Sequence, residues 1–156
     1  ENDPEYYEAL LELGYAYQQT QKTKLARETY LRAIRITIND PRAYALIARL
    51  EYDLGRKQQA SQILARGAKV DPHSPQLLMT QGYIWLHEAE TKKALAPLQR
   101  CVKLAPNYFE AHKYLGEALE ALGNSGGAAE SFRKAYQLNP NDEECRQRLE
   151  RIGQKV

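Results

Sequence analysis

The sequence predicts an all-α fold built from four stacked helical hairpins, and two observations carry this prediction. Small residues recur at a constant spacing of 34 positions along the 156 residues of the chain. Within each period, two segments show apolar residues at the i, i+3, i+4 and i+7 spacing of one helix face. A single helical hairpin cannot bury its own apolar face, so such repeats are expected to stack on their neighbours.

The 34-residue period occurs in three separate series that share one register. They are Ala26, Ala60, Ala94 and Ala128; Gly14, Ala48, Gly82 and Gly116; and Pro72, Pro106 and Pro140. We expect the second series to lie where the first helix of a hairpin contacts the second. The alanines of the first series are expected to lie opposite them, on the second helix. Large residues such as Tyr30 and Phe132 are expected to fill the space between neighbouring hairpins.

The first hairpin shows both helical patterns clearly. Its apolar positions are Leu10, Leu13, Gly14 and Tyr17 in the first helix and Ala26, Tyr30, Ala33 and Ile34 in the second. The polar segments inside the four hairpins are long enough only for tight turns; they lie at 19–22, 55–57, 88–90 and 123–126. At two borders between hairpins, Asp40-Pro41 and Ser74-Pro75 each combine an N-cap residue with a proline in the first turn.

A last, unpaired helix is expected over residues 143–156. Asp142 can cap it, and its two following glutamates suit a helix N-terminus. One apolar stripe runs along it, formed by Cys145, Leu149, Ile152 and Val156. This helix is predicted to cover the open apolar end of the fourth hairpin. The alternative, that it binds a partner, stays open.

At these positions the chain resembles the tetratricopeptide repeat (TPR) family, whose pattern is a large residue, Leu-Gly, Tyr, Ala, Phe, Ala and Pro over 34 residues. The fourth repeat, for example, carries Leu115, Gly116, Ala128, Phe132, Ala135 and Pro140. The resemblance implies a right-handed α-solenoid forming one domain over residues 1–156, with repeats at 7–40, 41–74, 75–108 and 109–142 and a capping helix at 143–156. Glu51 departs from the pattern, because it stands where the family has an aromatic residue.

The same resemblance implies a binding surface. In this family, the first helices of the repeats line a concave groove that binds a peptide or helix of another protein. The corresponding residues here are Leu11, Tyr15, Arg42, Leu46, Arg49, Tyr52, Gln76, Met79, Tyr83, His87, Lys113, Tyr114 and Glu117. The apolar and aromatic members have no expected packing partner within their own repeat, which indicates a contact surface. The alternative is that some of them cover the first helix of the next repeat.

Charge within this groove is predicted to be graded along the chain. Arg42 and Arg49 lie in the first half, whereas Glu110, Glu117 and Glu120 lie in the second. A ligand could therefore be oriented by its own charges. The family's best-known clamp for the C-terminal carboxylates of the seventy- and ninety-kilodalton chaperones is missing from both possible repeat frames, so the chain is not expected to bind those tails.

Composition and motifs argue against other functions. The 22 Lys and Arg nearly balance the 20 Asp and Glu, and no basic stripe suggests nucleic acid. No segment is apolar enough for membrane insertion or a signal peptide. The two cysteines and three histidines form no metal-ligand motif, and no cofactor is expected. Gly123 to Gly127 resembles the serine motif of trypsin-like proteases, but it falls in a turn of a helical repeat, and no enzyme activity is predicted.

The expected function is therefore a non-catalytic protein-protein interaction module that binds a peptide or helix of a partner protein. Two alternatives stay open: a structural scaffold that self-associates as a homo-oligomer, and a recruiting or regulatory domain of a larger protein. The chain begins at Glu1 rather than Met, which indicates a processed product or a fragment. Cys101 and Cys145 are expected to be buried free thiols, which favours a reducing, cytoplasmic compartment.

Overall fold

The computed structural model of the protein describes residues 4–153, and these residues form nine α-helices with no strand. The all-α prediction is therefore confirmed for this part of the chain. The helices are α1 (Pro4–Gln19), α2 (Thr23–Ile36), α3 (Pro41–Asp53), α4 (Lys57–Val70), α5 (Pro75–His87), α6 (Thr91–Leu104), α7 (Phe109–Ala121), α8 (Ser125–Leu138) and α9 (Glu143–Gly153). Val156, which the sequence places in the apolar stripe of the last helix, lies outside the described residues.

The helices gather into two compact units. Unit one is Glu1–Thr80 and unit two is Gln81–Val156, so the border falls within α5. In unit one, α1 packs on α2 and α3 on α4, and α2 also packs on α3. In unit two, α7 packs on α6 and α8, and α9 packs on α8.

Two helix starts, at Asp40 and Asp142, agree with the capping residues expected from the sequence, whereas the hydroxyl of the third expected cap, Ser74, donates to the Gln76 side chain. The Asp40 carboxylate accepts a hydrogen bond from the Arg42 backbone N–H at 2.9 Å, directly before α3. Likewise, Asp142 accepts from the Cys145 N–H at 2.8 Å and caps α9. Each cap satisfies one of the backbone donors that the first turn of a helix leaves open.

The turn inside each hairpin repeats at the level of single backbone angles. One residue per turn adopts the left-handed conformation: Gln21 (φ 58°), Gly55 (φ 76°), Ala89 (φ 59°) and Gly123 (φ 80°). These positions follow the 34-residue spacing, and only two of them carry the glycine that this conformation favours. Gly123 therefore serves the turn, and Ser125 behind it begins α8.

The small residues mark close helix contacts, but they meet a different partner from the one expected. A methyl group added at Gly116 would come within 2.8 Å of the Phe132 ring. At Gly14 it would come within 2.6 Å of the Tyr30 ring, and at Gly82 within 2.6 Å of Leu98. The prediction that an alanine lies opposite each glycine is wrong. The residue that faces the glycine is the large one four positions after the alanine, in the same hairpin.

Glu51 is the most unusual core residue, because its side chain is 0% exposed and charged. It forms ion pairs with Arg27 of α2 and with Arg56, whose guanidinium lies 3.0 Å from its carboxylate. A buried carboxylate is tolerated only when it is paired and hydrogen-bonded. The sequence showed a missing aromatic here, and the structure shows that an ion-pair cluster replaces it.

Candidate functional site

Three of the predicted groove residues in unit one are buried or packed against the core. Leu11 is only 7% exposed and lies in the hydrophobic core with Tyr30 and Ala43, and Leu46 packs against the same core. The sequence pattern predicts no packing partner for Leu11 within its own repeat and leaves open that it covers a neighbouring helix; the core that contains Leu11 holds residues of both α2 and α3. Met79 is also buried, at 6% exposed, so it cannot act as an exposed anchor in this arrangement.

The charged groove residues of unit one are engaged by acids of the same unit. The guanidinium of Arg42 pairs with Asp40 at 2.7 Å and donates to Glu8 at 3.0 Å. Burial opposes ionisation of Asp40, but hydrogen bonds from Arg42 outweigh it and hold the pKa of Asp40 below its ordinary value. Arg49 lies 4.0 Å from Asp53. Arg42 is therefore already paired within the fold, and the prediction that it orients an acidic ligand is not supported.

The remaining predicted residues of unit one are more open. Tyr15 is 53% exposed, whereas Tyr52 and Gln76 are half-buried. The Gln76 side chain accepts a hydrogen bond from Ser74 at 3.2 Å. Tyr15 and Arg49 both act electrostatically on the Tyr30 hydroxyl.

Unit two brings three predicted residues together in what we call the aromatic cluster, formed by Tyr83, His87 and Tyr114. The ring centroids of Tyr83 and His87 are 4.1 Å apart, and those of Tyr83 and Tyr114 are 5.2 Å apart. His87 meets Tyr114 edge-on at 6.4 Å. His87 is exposed and both tyrosines are half-buried, so the cluster keeps part of its aromatic surface in contact with solvent.

The position of His87 is set by its own helix. Its Nδ1 lies 2.9 Å from the Tyr83 backbone oxygen, one helical turn earlier. This geometry fits an Nδ1–H donor to the carbonyl, which fixes the imidazole against the Tyr83 ring. The tilted ring pair is thus positioned by α5, and Tyr114 joins it from α7.

One acid of the predicted groove, Glu120, is neutralised by the last helix. Glu120 pairs with Arg148 at 2.8 Å and Arg151 at 2.6 Å, both on α9. Burial opposes ionisation of Glu120, but these two arginines hold its pKa below the ordinary value. Lys113 pairs with Asp142 at 3.2 Å and Glu144 at 2.6 Å. Glu120 is therefore not a free negative charge of the predicted gradient, and Lys113, a predicted groove residue, is likewise already paired.

Glu117 differs from its neighbours on α7. The structure shows no hydrogen bond or ion pair from its half-buried carboxylate to any described residue. Desolvation by burial raises the pKa of Glu117, although Arg148, Lys113 and His87 act in the opposite direction. Because Glu117 follows Tyr114 by three residues on α7, it lies on the same helix face, beside the aromatic cluster.

One feature of unit two was not expected from the sequence. A surface cleft lies among α6, α7 and α8, lined in part by Lys103, His112, Arg133 and Lys134. Its basic residues come from three helices, and no local pattern in the sequence connects them. His112 Nε2 lies 2.9 Å from the Pro106 backbone oxygen, so this imidazole helps to shape the turn before α7.

The two thiols, Cys101 and Cys145, are buried, and neither forms a disulfide in the part of the chain that the structure describes. Burial and the hydrogen-bonded Asp142 carboxylate raise the pKa of Cys145 to about 12, which leaves this thiol protonated and unreactive. Among residues 4–153, no group of metal-ligating side chains comes together. Within the same range, no helix combines the length and apolar character required to cross a membrane.

Comparison with known sequences identifies the repeats. Three profiles described as tetratricopeptide repeat match residues 7–37, 46–108 and 109–142. Cellulose synthase operon protein C of Komagataeibacter xylinus is 33% identical over 88 residues, which are 56% of this chain and 7% of that protein. Protein O-mannosyl-transferase TMTC1 of Homo sapiens is 24% identical over 137 residues, 88% of this chain and 15% of that protein. The chain thus spans a small fraction of the relatives it matches.

Solved structures show the same fold. PilF of Pseudomonas aeruginosa superposes with a TM-score of 0.80 at 20% identity, covering 97% of this chain and 69% of that one. Cut9 in the Cut9–Hcn1 complex of the APC/C gives a TM-score of 0.85 at 17% identity, covering 99% and 31%. MamA of Desulfovibrio magneticus gives 0.69 at 21% identity, covering 96% and 85%. These likenesses confirm the all-α solenoid fold predicted from the sequence. The three profile matches, which together cover most of the chain, show that it belongs to the tetratricopeptide repeat family.

Proposed function

We propose that this chain binds a segment of a partner protein on the exposed face of the first helix of its repeats. The aromatic cluster of unit two is a principal contact in this proposal. The general part follows from the family, since a tetratricopeptide repeat array is a protein-interaction scaffold. The specific part rests on one observation: Tyr83, His87 and Tyr114 form a packed aromatic surface that stays partly open to solvent.

Physical properties of the cluster support a binding role. Tyrosine offers a large contact area with few rotatable bonds, so little conformational entropy is lost when a ligand orders it. Hot spots of protein interfaces are rich in such residues and sit in partly desolvated pockets. The rings already contact one another before any ligand arrives, and this preorganisation reduces the cost of binding.

Unit one provides fewer exposed contact residues for the partner than the predicted groove contains. Tyr15 and Tyr52 keep exposed ring surface, whereas Leu11 and Met79 are buried and Arg42 is already paired. We therefore propose Tyr15 and Tyr52 as the contacts of this unit. Gln76, Leu46 and Arg49 are secondary, since each has packing or polar contacts within the fold.

Binding can be tested with peptides that the chain itself selects. The full chain is used to select peptides from a random displayed library, and their affinities are measured by calorimetry. The double variant Tyr83→Ala/Tyr114→Ala should bind the selected peptides about 30-fold more weakly, which corresponds to about 2 kcal/mol. Circular dichroism of the variant should match the parent chain, because neither ring fills the centre of a core.

The matched control is Tyr6→Ala, because Tyr6 is an exposed tyrosine of α1 outside the proposed surface. It should leave peptide affinity unchanged. If the double variant and the control behave alike, the binding surface is elsewhere. If no peptide is selected at all, the proposal of a peptide-binding module is wrong.

Two other functions remain as alternatives. A self-associating scaffold predicts a mass that rises with concentration in light scattering, whereas a peptide-binding module predicts a constant mass. A recruiting domain of a larger protein agrees with the length of the relatives, of which the chain spans 7% to 15%. The transferase activity named for one relative is a property of that whole protein, and we propose no catalysis for this chain.

A further inference from the structure

We propose that the aromatic cluster and Glu117 together bind an arginine side chain of the partner protein. This inference rests on the proposed function and assigns a ligand chemistry to its principal contact. Two features carry it: aromatic rings with exposed surface and, beside them, a carboxylate that has no partner in the described part of the fold.

The rings supply the first half of an arginine site. A cation is attracted to the face of an aromatic ring when it lies within about 6 Å of the centroid. Tyr83, His87 and Tyr114 present three rings within 4.1 to 6.4 Å of one another. A side chain lying over the cluster can therefore contact more than one ring.

Glu117 supplies the second half. Its carboxylate is half-buried and has no hydrogen bond or ion pair from a described residue. His87 influences Glu117 electrostatically, and Tyr114 lies one turn away on the same face of α7. The acid and the rings are therefore close enough to contact one ligand side chain.

The nearby cations do not take this role, because each is held elsewhere. Lys113 pairs with Asp142 and Glu144. Arg148 pairs with Glu120 and Glu144. Glu117 thus bears the cost of partial burial without the compensation that a bound cation would give.

The packing of the rings favours arginine over a methylated lysine. A cage for a trimethylammonium group needs open space between its rings. Here the centroids of Tyr83 and His87 are only 4.1 Å apart, so nothing fits between them. A ligand must lie over an outer ring face, where a planar guanidinium can stack and still direct two N–H donors at a carboxylate.

The test uses short capped peptides as probes and records the tyrosine ring signals of the full chain by NMR. The probes are glycine tripeptides with arginine, citrulline, lysine or trimethyllysine at the centre. The arginine probe should shift the signals of Tyr83 and Tyr114 in a saturable way. Citrulline has nearly the same shape without charge and should bind about tenfold more weakly, and the two lysine probes should also bind more weakly than arginine.

Two glutamate variants separate a direct role of Glu117 from a general charge effect. Glu117→Gln should weaken the arginine probe about tenfold and weaken citrulline much less, because citrulline loses only a hydrogen bond without a charge pair. Glu130→Gln, at an exposed position of α8, removes the same charge and should change neither. A second variant, Tyr83→Leu, should weaken the arginine probe while Glu117 is intact.

Equal binding of arginine and citrulline, or an arginine affinity unaffected by Glu117→Gln, would overturn the arginine site. Stronger binding of trimethyllysine than of arginine would do the same. If library peptides still bind through Tyr83 and Tyr114 in that case, the proposed function stands and only its ligand chemistry is wrong. If neither library peptides nor probes bind, both proposals fail.

Discussion

Single side chains set how closely the two helices of a hairpin approach. In the fourth hairpin, a methyl group at Gly116 would lie 2.8 Å from the Phe132 ring, well inside ordinary contact distance. Gly116→Ala should therefore lower the free energy of unfolding by about 1 to 3 kcal/mol through overpacking. Gly126→Ala is the matched control in α8, because nothing lies within 4 Å of that position. It should be neutral or stabilising by up to about 1 kcal/mol, and urea denaturation of both variants checks the difference.

The buried acid of unit one gives a second prediction at this scale. Replacing both Arg27 and Arg56 with Met leaves the Glu51 carboxylate buried without a partner, at an expected cost of about 3 to 5 kcal/mol. Adding Glu51→Leu to that variant should restore most of the loss, because an apolar side chain of similar volume carries no desolvation cost. Chemical denaturation of the three proteins measures both steps. If the triple variant is no more stable than the double variant, the buried charge of Glu51 is not the cause of the lost stability.

The sequence located Glu51 as a departure from the repeat but could not show its environment. Its partner Arg27 lies 24 residues earlier, and only the packing of α2 on α3 brings them together. The register of the glycines, by contrast, was predictable, since a fixed spacing needs no tertiary information. Which residue faces each glycine was not, because Tyr30 and Phe132 could equally have filled the space between hairpins.

At the scale of elements, each hairpin turn requires one residue in the left-handed conformation, and only two of the four turns place a glycine there. Ala89 adopts the left-handed conformation that Gly123 adopts in the fourth hairpin, at φ 59° and 80°. A Cβ in this conformation costs about 1 to 2 kcal/mol, partly offset by the lower entropy of the unfolded chain. Ala89→Gly should thus stabilise the protein by up to about 1 kcal/mol, and Gly123→Ala should destabilise it by a similar amount. Thermal denaturation checks the opposite signs, and equal signs would contradict the role of the turn.

The contact of α9 with α7 should depend on pH. Because the arginines of α9 lower the pKa of Glu120 below 4.5 in the folded state, its stabilisation is complete above that value. The stabilisation is lost as the pH falls through the lower, folded pKa. The parent chain should therefore be more stable than Glu120→Gln at about pH 7, by on the order of 1 kcal/mol, and the difference should vanish toward about pH 3.

Other carboxyls titrate in the same range, so the difference between the two proteins is the quantity to follow. The pKa of Asp142 is lowered and that of Glu117 is raised, and both contributions are shared by the parent chain and the variant. The same substitution at exposed Glu130 should leave stability unchanged at either pH. A difference that persists at low pH would show that Glu120 acts through packing rather than through charge.

Elements were more predictable than the contacts between them. Helices, turns and the caps at Asp40 and Asp142 follow from local periodicity and local hydrogen bonding, which a sequence shows directly. The ion pairs of Lys113 and Glu120 with α9 were not foreseen. They join side chains 28 to 31 residues apart, and nothing local distinguishes them from solvated charges.

At the scale of the whole molecule, the sequence pattern selects candidate positions but does not show which of them are exposed. The structure brings together Tyr83, His87 and Tyr114, which share the groove positions of the family pattern. It buries Leu11 and Met79, because a position that faces a ligand in one repeat can be covered by a neighbouring helix in another. Burial depends on the neighbour, so a single-repeat pattern cannot decide it.

The last prediction concerns a ligand that the chain should not bind. A carboxylate clamp needs basic and amide side chains at five groove positions, and the two possible frames give Leu11, Tyr15, Leu46, Gln76 and Thr80, or Ala45, Arg49, Thr80, Glu110 and Tyr114. In the first frame no position is cationic, and in the second the single cation, Arg49, lies 4.0 Å from Asp53. Leu11, Ala45 and Thr80 are buried, and Glu110 would repel an anion. A C-terminal chaperone peptide should therefore bind no better than its scrambled version in calorimetry, with or without a terminal amide. Tight binding that the amide abolishes would require a set of cationic groups which these positions do not contain.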